Sequence, residues 1–125
     1  MLLNVHPLLG PDLLHALASM GHGDQIAIVD ANYPAAAKAK RLIRADGHGL
    51  IDVLEAIMTV LPVEMAAMPN TQRPIHDTLK SRLPDIQALG DDEFYGLANG
   101  AYAMVATSAP ELYGNVVLTK AAVGH

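Results

Sequence analysis

Two residues of this chain have the type and placement to move protons and hold a polar ligand. His22 stands between Gly21 and Gly23, and Asp30 follows the apolar run Ile26-Ala27-Ile28-Val29. Imidazole titrates near neutral pH, so His22 can give or take a proton under ordinary conditions. A carboxylate at the C-terminal end of a strand sits where α/β proteins collect their sites, and it accepts hydrogen bonds from hydroxyls. Further on, Tyr113-Gly114-Asn115 joins a phenol, with its apolar face and hydroxyl, to an amide that both donates and accepts. Each has a plainer reading. His22 can be a turn residue whose ring rests on the last carbonyls of a helix, Asp30 can cap the segment after it, and Tyr113-Gly114-Asn115 can be an ordinary turn.

Composition excludes several other chemistries. The sequence has no cysteine, which rules out a disulfide framework, thiolate zinc ligation and a cysteine nucleophile. There are six histidines, but His22-x-Asp24 and the distant His48 come with no His-x-x-x-His spacing or carboxylate cluster, so no metal is expected. His125 is expected to be solvated. Gly47-His48-Gly49 lacks the Lys and Ser or Thr of a phosphate loop. A net charge of −5 argues against nucleic acid and against anionic membranes as partners. Met1 to Asn4 has neither the basic nor the long apolar region of a signal peptide, and the apolar stretch Ala56 to Val63 is interrupted by Thr59 and Pro62. The expectation is a cytoplasmic protein. Aliphatic residues dominate a sequence with one Phe and no Trp, and part of that apolar surplus can serve subunit contacts.

The 125 residues suit one domain. Pro11 and Asp12 open a helical pattern through Leu13, Leu14, Leu17 and Met20, which Gly21 stops. Gln25 to Val29 reads as a buried strand and Arg41 to Arg44 as a short one. Leu50, Ile51, Leu54, Ile57, Met58 and Leu61 lie on one helix face, ended by Pro62. Val63 to Met68 reads as a strand, Pro74 to Leu83 as a helix, Pro69 to Arg73 as a loop and Asp91 to Ala98 as a helix. Tyr102 to Thr107 and Asn115 to Lys120 read as strands. The fold class is α/β, a single compact three-layer domain over residues 1–125 with a mixed sheet flanked by helices.

These elements carry a wider pattern. Met20-Gly21-His22-Gly23-Asp24, then Ile26 to Asp30 and Ala31-Asn32-Tyr33-Pro34, resemble the signature of the ribose pyranase/fucose mutarotase family. Ile43-Arg44-Ala45-Asp46-Gly47, Phe94-Tyr95 and Tyr113 to Leu118 with Lys120 continue it, over roughly two-thirds of the chain. The resemblance implies an isomerase without cofactor that interconverts anomers, or pyranose and furanose forms, of a free monosaccharide of the fucose or ribose type. It makes His22 the general acid, places Asp30 on the sugar, and gives Tyr113, Gly114 and Asn115 to sugar binding. It also implies a ring-like homo-oligomer, a decamer among the arrangements, in which neighbours share a pocket. The alternative is a non-catalytic sugar-binding or regulatory protein on the same scaffold. Asp24 and the Arg44–Asp46 pair read as structural.

The sequence departs from that family at identifiable places. Three residues before Phe-Tyr the fucose branch carries Arg and the ribose branch His, whereas this chain has Asp91, which only accepts hydrogen bonds when ionised. Asp91 is therefore a candidate substrate-binding residue that changes sugar selectivity. Gly96-Leu97 replaces a Glu-Arg pair, Ser108-Ala109 replaces Gly-Glu, and residues 62–90 are shorter than usual. Arg73 or Arg82 in that segment can supply the missing cation, and spacing does not choose between them. Spacing does bear on assembly. From His22 to Asp30 is eight steps, which span roughly 26 Å when extended at about 3.3 Å each. One monosaccharide then meets both side chains only if two subunits supply them, unless the segment folds back.

Overall fold

The computed structural model describes residues 1–124, so His125 lies outside the described residues. Six strands form one sheet: β1 (Gln25–Val29), β2 (Leu42–Ala45), β3 (Val63–Pro69), β4 (Gln87–Leu89), β5 (Ala103–Thr107) and β6 (Val116–Lys120). Their order across the sheet is β2-β5-β1-β6-β3-β4. β5 is parallel to both β1 and β2, and β3 is parallel to β4, while β6 runs antiparallel to its neighbours β1 and β3. The sheet is thus mixed, with one reversed strand near its middle.

The apolar runs explain why helices cover both faces. In β1, Ile26 and Ile28 point into one core with Leu13 and Leu17 of α1 (Pro11–Ser19), Leu50, Val53, Leu54 and Ile57 of α3 (Leu50–Met58), and Leu79 of α4 (Pro74–Arg82). Ala27 and Val29 point the other way, onto Ala35 of α2 (Ala35–Lys38) and Phe94 and Ala98 of α5 (Asp91–Gly100). Both faces of β1 are fully buried, which is why it reads as a continuous apolar run rather than an alternation. Burying Ile26 or Ile28 contributes about 1.5–3 kcal/mol apiece.

Local signals set the ends that matter for the site. α1 starts at Pro11, where a missing N–H costs nothing. After it, Gly21 to Asp24 form a tight turn: the Gly21 N–H donates to Asp24 Oδ2 at 2.7 Å and the Asp24 N–H to the Gly21 carbonyl at 3.1 Å. Gly23 adopts φ 87°, a conformation that favours glycine. Asp24 is thus a turn residue, and Arg44 and Asp46 form an exposed ion pair at 2.8 Å. Two short elements depart from the sequence reading, the four-residue α2 after Pro34 and the three-residue β4 at the sheet edge. Among the described residues, no helix is long and apolar enough to cross a membrane.

Candidate functional site

The connections leaving β1 and β3 diverge. The chain after β1 passes through α2 to β2 on one side of the sheet, and the chain after β3 passes through α4 to β4 on the other. Between them lies the start of β6. A crevice opens at such a divergence, outside the C-terminal ends of the strands, and this is where open α/β sheets bind ligands. A cavity of about 520 Å³ occupies that position.

Three sequence candidates meet there. Asp30, Tyr113 and Asn115 all line the cavity. Asp30 is 5% exposed, and its Oδ1 accepts from the Asn32 and Tyr33 N–H groups, both at 2.9 Å. This leaves Oδ2 to accept from a ligand hydroxyl. The Asp30 N–H donates to Asn115 Oδ1 at 2.8 Å, so the Asn115 amide has its Nδ2 hydrogens left to offer. Gly114 links Tyr113 to Asn115, and a Cβ there would sit 2.9 Å from the Glu111 carbonyl oxygen. That close approach explains the glycine, whereas Tyr113 itself holds φ 59°.

The opposite walls come from residues outside that set. The Tyr33 hydroxyl donates to Asn99 Oδ1 at 2.6 Å, and its ring lies 5.9 Å from that of Tyr95. Burial pushes the Tyr33 phenol up to about 12, with Tyr95 and the Asp30 charge adding to it. Burial, then the charges of Asp91, Tyr113 and Asp30, raise Tyr95 as well. Both phenols therefore stay neutral near pH 7 and act as hydrogen-bond donors rather than bases. Arg73 and Lys38 add two cations to the lining, and the Arg73 guanidinium lies 5.2 Å from the Tyr113 ring centroid. Of the two arginines in the divergent segment, Arg73 is the one at the cavity, while Arg82 is paired with Glu55 at 2.7 Å.

Two candidates lie elsewhere. Asp91 opens α5 and is exposed; it is absent from the cavity lining, and its charge reaches the site through Tyr95. His22 lies at the other end of the sheet, ahead of β1, with Asp30 beyond the strand's far end. Its Nε2 is 3.1 and 3.3 Å from the two Glu64 carboxylate oxygens, and the His22 side chain is 60% exposed. The ring rests on a carboxylate rather than on helix carbonyls, which leaves Nδ1 free to meet a ligand. The cavity of one chain thus offers a carboxylate, three amides, three phenols and two cations, but no imidazole. Among the described residues, no group of three or more His, Cys, Asp or Glu is placed to hold a metal ion.

Residues 3–123 match the model of the RbsD / FucU transport protein family. The chain belongs to this family. It is 37% identical over 139 residues to the fucose mutarotase of Homo sapiens, covering 93% of this chain and 90% of that protein. The fucose mutarotase of Streptococcus pneumoniae, solved in complex with L-fucose, superposes with a TM-score of 0.90 at 33% identity, over 98% of this chain and 100% of that one. Bacillus subtilis RbsD, solved with D-ribose, shares the fold, with a TM-score of 0.84 at 23% identity over 95% of this chain and 98% of that one. The matched stretch includes the glycine-flanked His22 and the crevice residues Asp30, Tyr113 and Asn115. Glu64 beside His22, and Tyr95 and Asn99 at the cavity, were not site candidates in the sequence. Tyr95 alone had a signal, its place in Phe94-Tyr95.

Proposed function

We propose that the protein is a cofactor-free isomerase of a free monosaccharide, interconverting anomers or ring forms by opening and reclosing the hemiacetal. The observation that carries this reading is the assembly of Asp30, Tyr113 and Asn115 around one crevice in a chain of the RbsD / FucU family. The names of its relatives at 33% and 37% identity point to fucose-type sugars, and the sequence resemblance adds the ribose type. Asp30 Oδ2 accepts a sugar hydroxyl, the Asn115 amide and the Tyr95 and Tyr113 hydroxyls donate, and Tyr113 lays its ring against the sugar. Arg73 supplies the cationic donor. Ring opening needs a proton delivered to the ring oxygen while the anomeric hydroxyl gives one up. His22 is the general acid, held through Nε2 by Glu64 and presenting Nδ1.

Because His22 and Asp30 flank opposite ends of β1, the working site joins His22 and Glu64 of one subunit to the crevice of a neighbour in a ring-like homo-oligomer. A second reading, a sugar-binding protein without catalysis, is favoured by one observation: the lining of a single chain contains no imidazole. Freshly dissolved single-anomer sugars, followed by polarimetry or saturation-transfer NMR, separate the two. An isomerase speeds the approach to equilibrium, and His22→Ala removes about 10²–10⁴-fold of that acceleration. Sugar binding with no acceleration establishes the second reading. A His22→Ala protein as fast as its parent removes His22 from the chemistry.

A further inference from the structure

Four polar side chains are buried among the described residues: Asp30, His76, Thr107 and Asn115. All four bond to backbone around the C-terminal end of the sheet. The Thr107 hydroxyl donates to the Val29 carbonyl at 2.7 Å and accepts from the Ala109 N–H at 3.1 Å, and Asn115 accepts from the Asp30 N–H. His76 is the one of the four that the proposed chemistry leaves without a task. It is 1% exposed, in the first turn of α4.

Both ring nitrogens of His76 are engaged, and each engages a wall of the crevice. Nδ1 accepts from the Arg73 N–H at 3.1 Å, with Thr71 Oγ1 at 3.4 Å, and the His76 N–H donates to the Arg73 carbonyl at 2.9 Å. Nε2 lies 2.8 Å from the Tyr113 carbonyl oxygen, which can only accept. Nδ1 as acceptor and Nε2–H as donor define one neutral tautomer. Tyr113 is also the residue that needs holding, because its φ of 59° is disfavoured for a side chain with a Cβ. Its carbonyl receives a second bond, from the Asn115 N–H at 2.8 Å, and that bond is local to the turn. The bond from His76 comes from another layer of the fold.

We infer that His76 is a positioning residue for the sugar site. Its imidazole joins the backbone of Arg73 to the backbone of Tyr113, fixing the separation and orientation of two side chains that line the crevice. The inference rests on the reading of that crevice as a sugar site. His76 touches no sugar and moves no proton. Its contribution is to binding, and ground state and transition state share it, so its loss raises KM and leaves kcat nearly unchanged.

Two conservative variants separate the two bonds. In His76→Asn the side-chain carbonyl takes the place of Nδ1 and still accepts from Arg73, while the donor to Tyr113 is gone. In His76→Gln the amide N–H lies near the place of Nε2 and restores that donor. KM and kcat for the parent's best sugar, read by saturation-transfer NMR beside the Tm of each variant, give the test. The expected result is a KM raised about tenfold in His76→Asn with kcat within about twofold, and a KM in His76→Gln returned to within about threefold of the parent. A His76→Asn protein with the parent KM overturns the inference, as do KM losses that follow Tm equally in both variants. Should both variants fail to fold, ¹⁵N NMR of the parent histidines decides. An Nε2–H tautomer at His76 whose ring shifts move on titration with sugar supports the coupling, and an Nδ1–H ring or shifts that do not respond overturn it. A parent that binds no sugar is seen before any variant is made, and it removes the sugar reading together with this one. A parent that binds, with unaffected variants, removes His76 alone.

Discussion

The proposed division of the site between subunits has a quantitative consequence for mixed oligomers. β1 is a continuous strand from Gln25 to Val29, His22 precedes it by three positions and Asp30 follows it directly. Two variants each remove one half of the site with little harm to the fold. His22→Ala deletes a ring that is 60% exposed and whose pairing with Glu64 lies at the surface, where such pairs contribute under about 1 kcal/mol. Asp30→Asn retains an Oδ1 that accepts from the Asn32 and Tyr33 N–H groups. Each homogeneous variant is expected to be slower by about 10²–10⁴-fold. Co-expressed in equal amounts, with random assembly, a site works where an Asp30-bearing crevice meets a neighbour that carries His22. The chance is one half for each, so roughly one quarter of sites are intact, whether the interface is isologous or head-to-tail. Differently tagged chains, purified in tandem and assayed by saturation-transfer NMR, are expected to recover about a quarter of the parent rate. A hetero-oligomer no faster than the two variants apart refutes the division, as does a monomer in solution with full activity.

The remaining predictions concern selectivity and pH. Asp91 opens α5 at the position where the sequence resemblance implies a cation in the fucose branch, so the parent is expected to turn over L-fucose weakly and Asp91→Arg to change its ranking of sugars in the same NMR assay. The substitution forfeits only an acid at a helix N-terminus, about 0.3–1 kcal/mol, and vigorous L-fucose mutarotation by the parent refutes the role of Asp91. Tyr33 holds its proton more tightly folded than unfolded, so the stability it adds is complete below pH 10.0 and is lost as pH rises towards about 12. Urea midpoints at pH 8 and pH 11 are expected to differ less for Tyr33→Phe than for the parent, and an equal alkaline loss in both refutes the shift.

The parts of the fold legible in the sequence were those with long or saturated signals. Ile26 to Val29 is apolar at every position and forms a strand buried on both faces, and the helical spacing of Leu50 to Met58 yields α3. α2 and β4 were illegible because four and three residues are too few for a period to repeat. Asn115 was read as the first residue of a strand, but the ladder starts at Val116 and the Asn115 side chain turns to cap the Asp30 N–H. The site shows the same division. Asp30, Tyr113 and Asn115 were found through the motifs that hold them, whereas Arg73 and His76 lie in the stretch where the resemblance fades. Tyr113 and His76 are 37 positions apart, and only the packing of α4 against the start of β6 brings them together.

The place of β6 in the sheet governs when this chain can take shape during synthesis. β1 is made early, yet both of its partners come late: Ile26 pairs with Ala103 on one side and with Leu118 on the other. Until β6 emerges, β3 and β4 have no bond to the rest of the sheet, and the apolar edges of β1 and β3 stay uncovered. Pairings so distant in sequence form slowly, because a long loop must close before any contact rewards it. The crevice cannot preexist that event, since Asn115 stands one residue ahead of β6 and the carbonyl of Tyr113 only two further back. Nascent chains of this protein therefore carry an unfinished sheet through most of translation, and the ligand pocket closes in the same step that completes the fold.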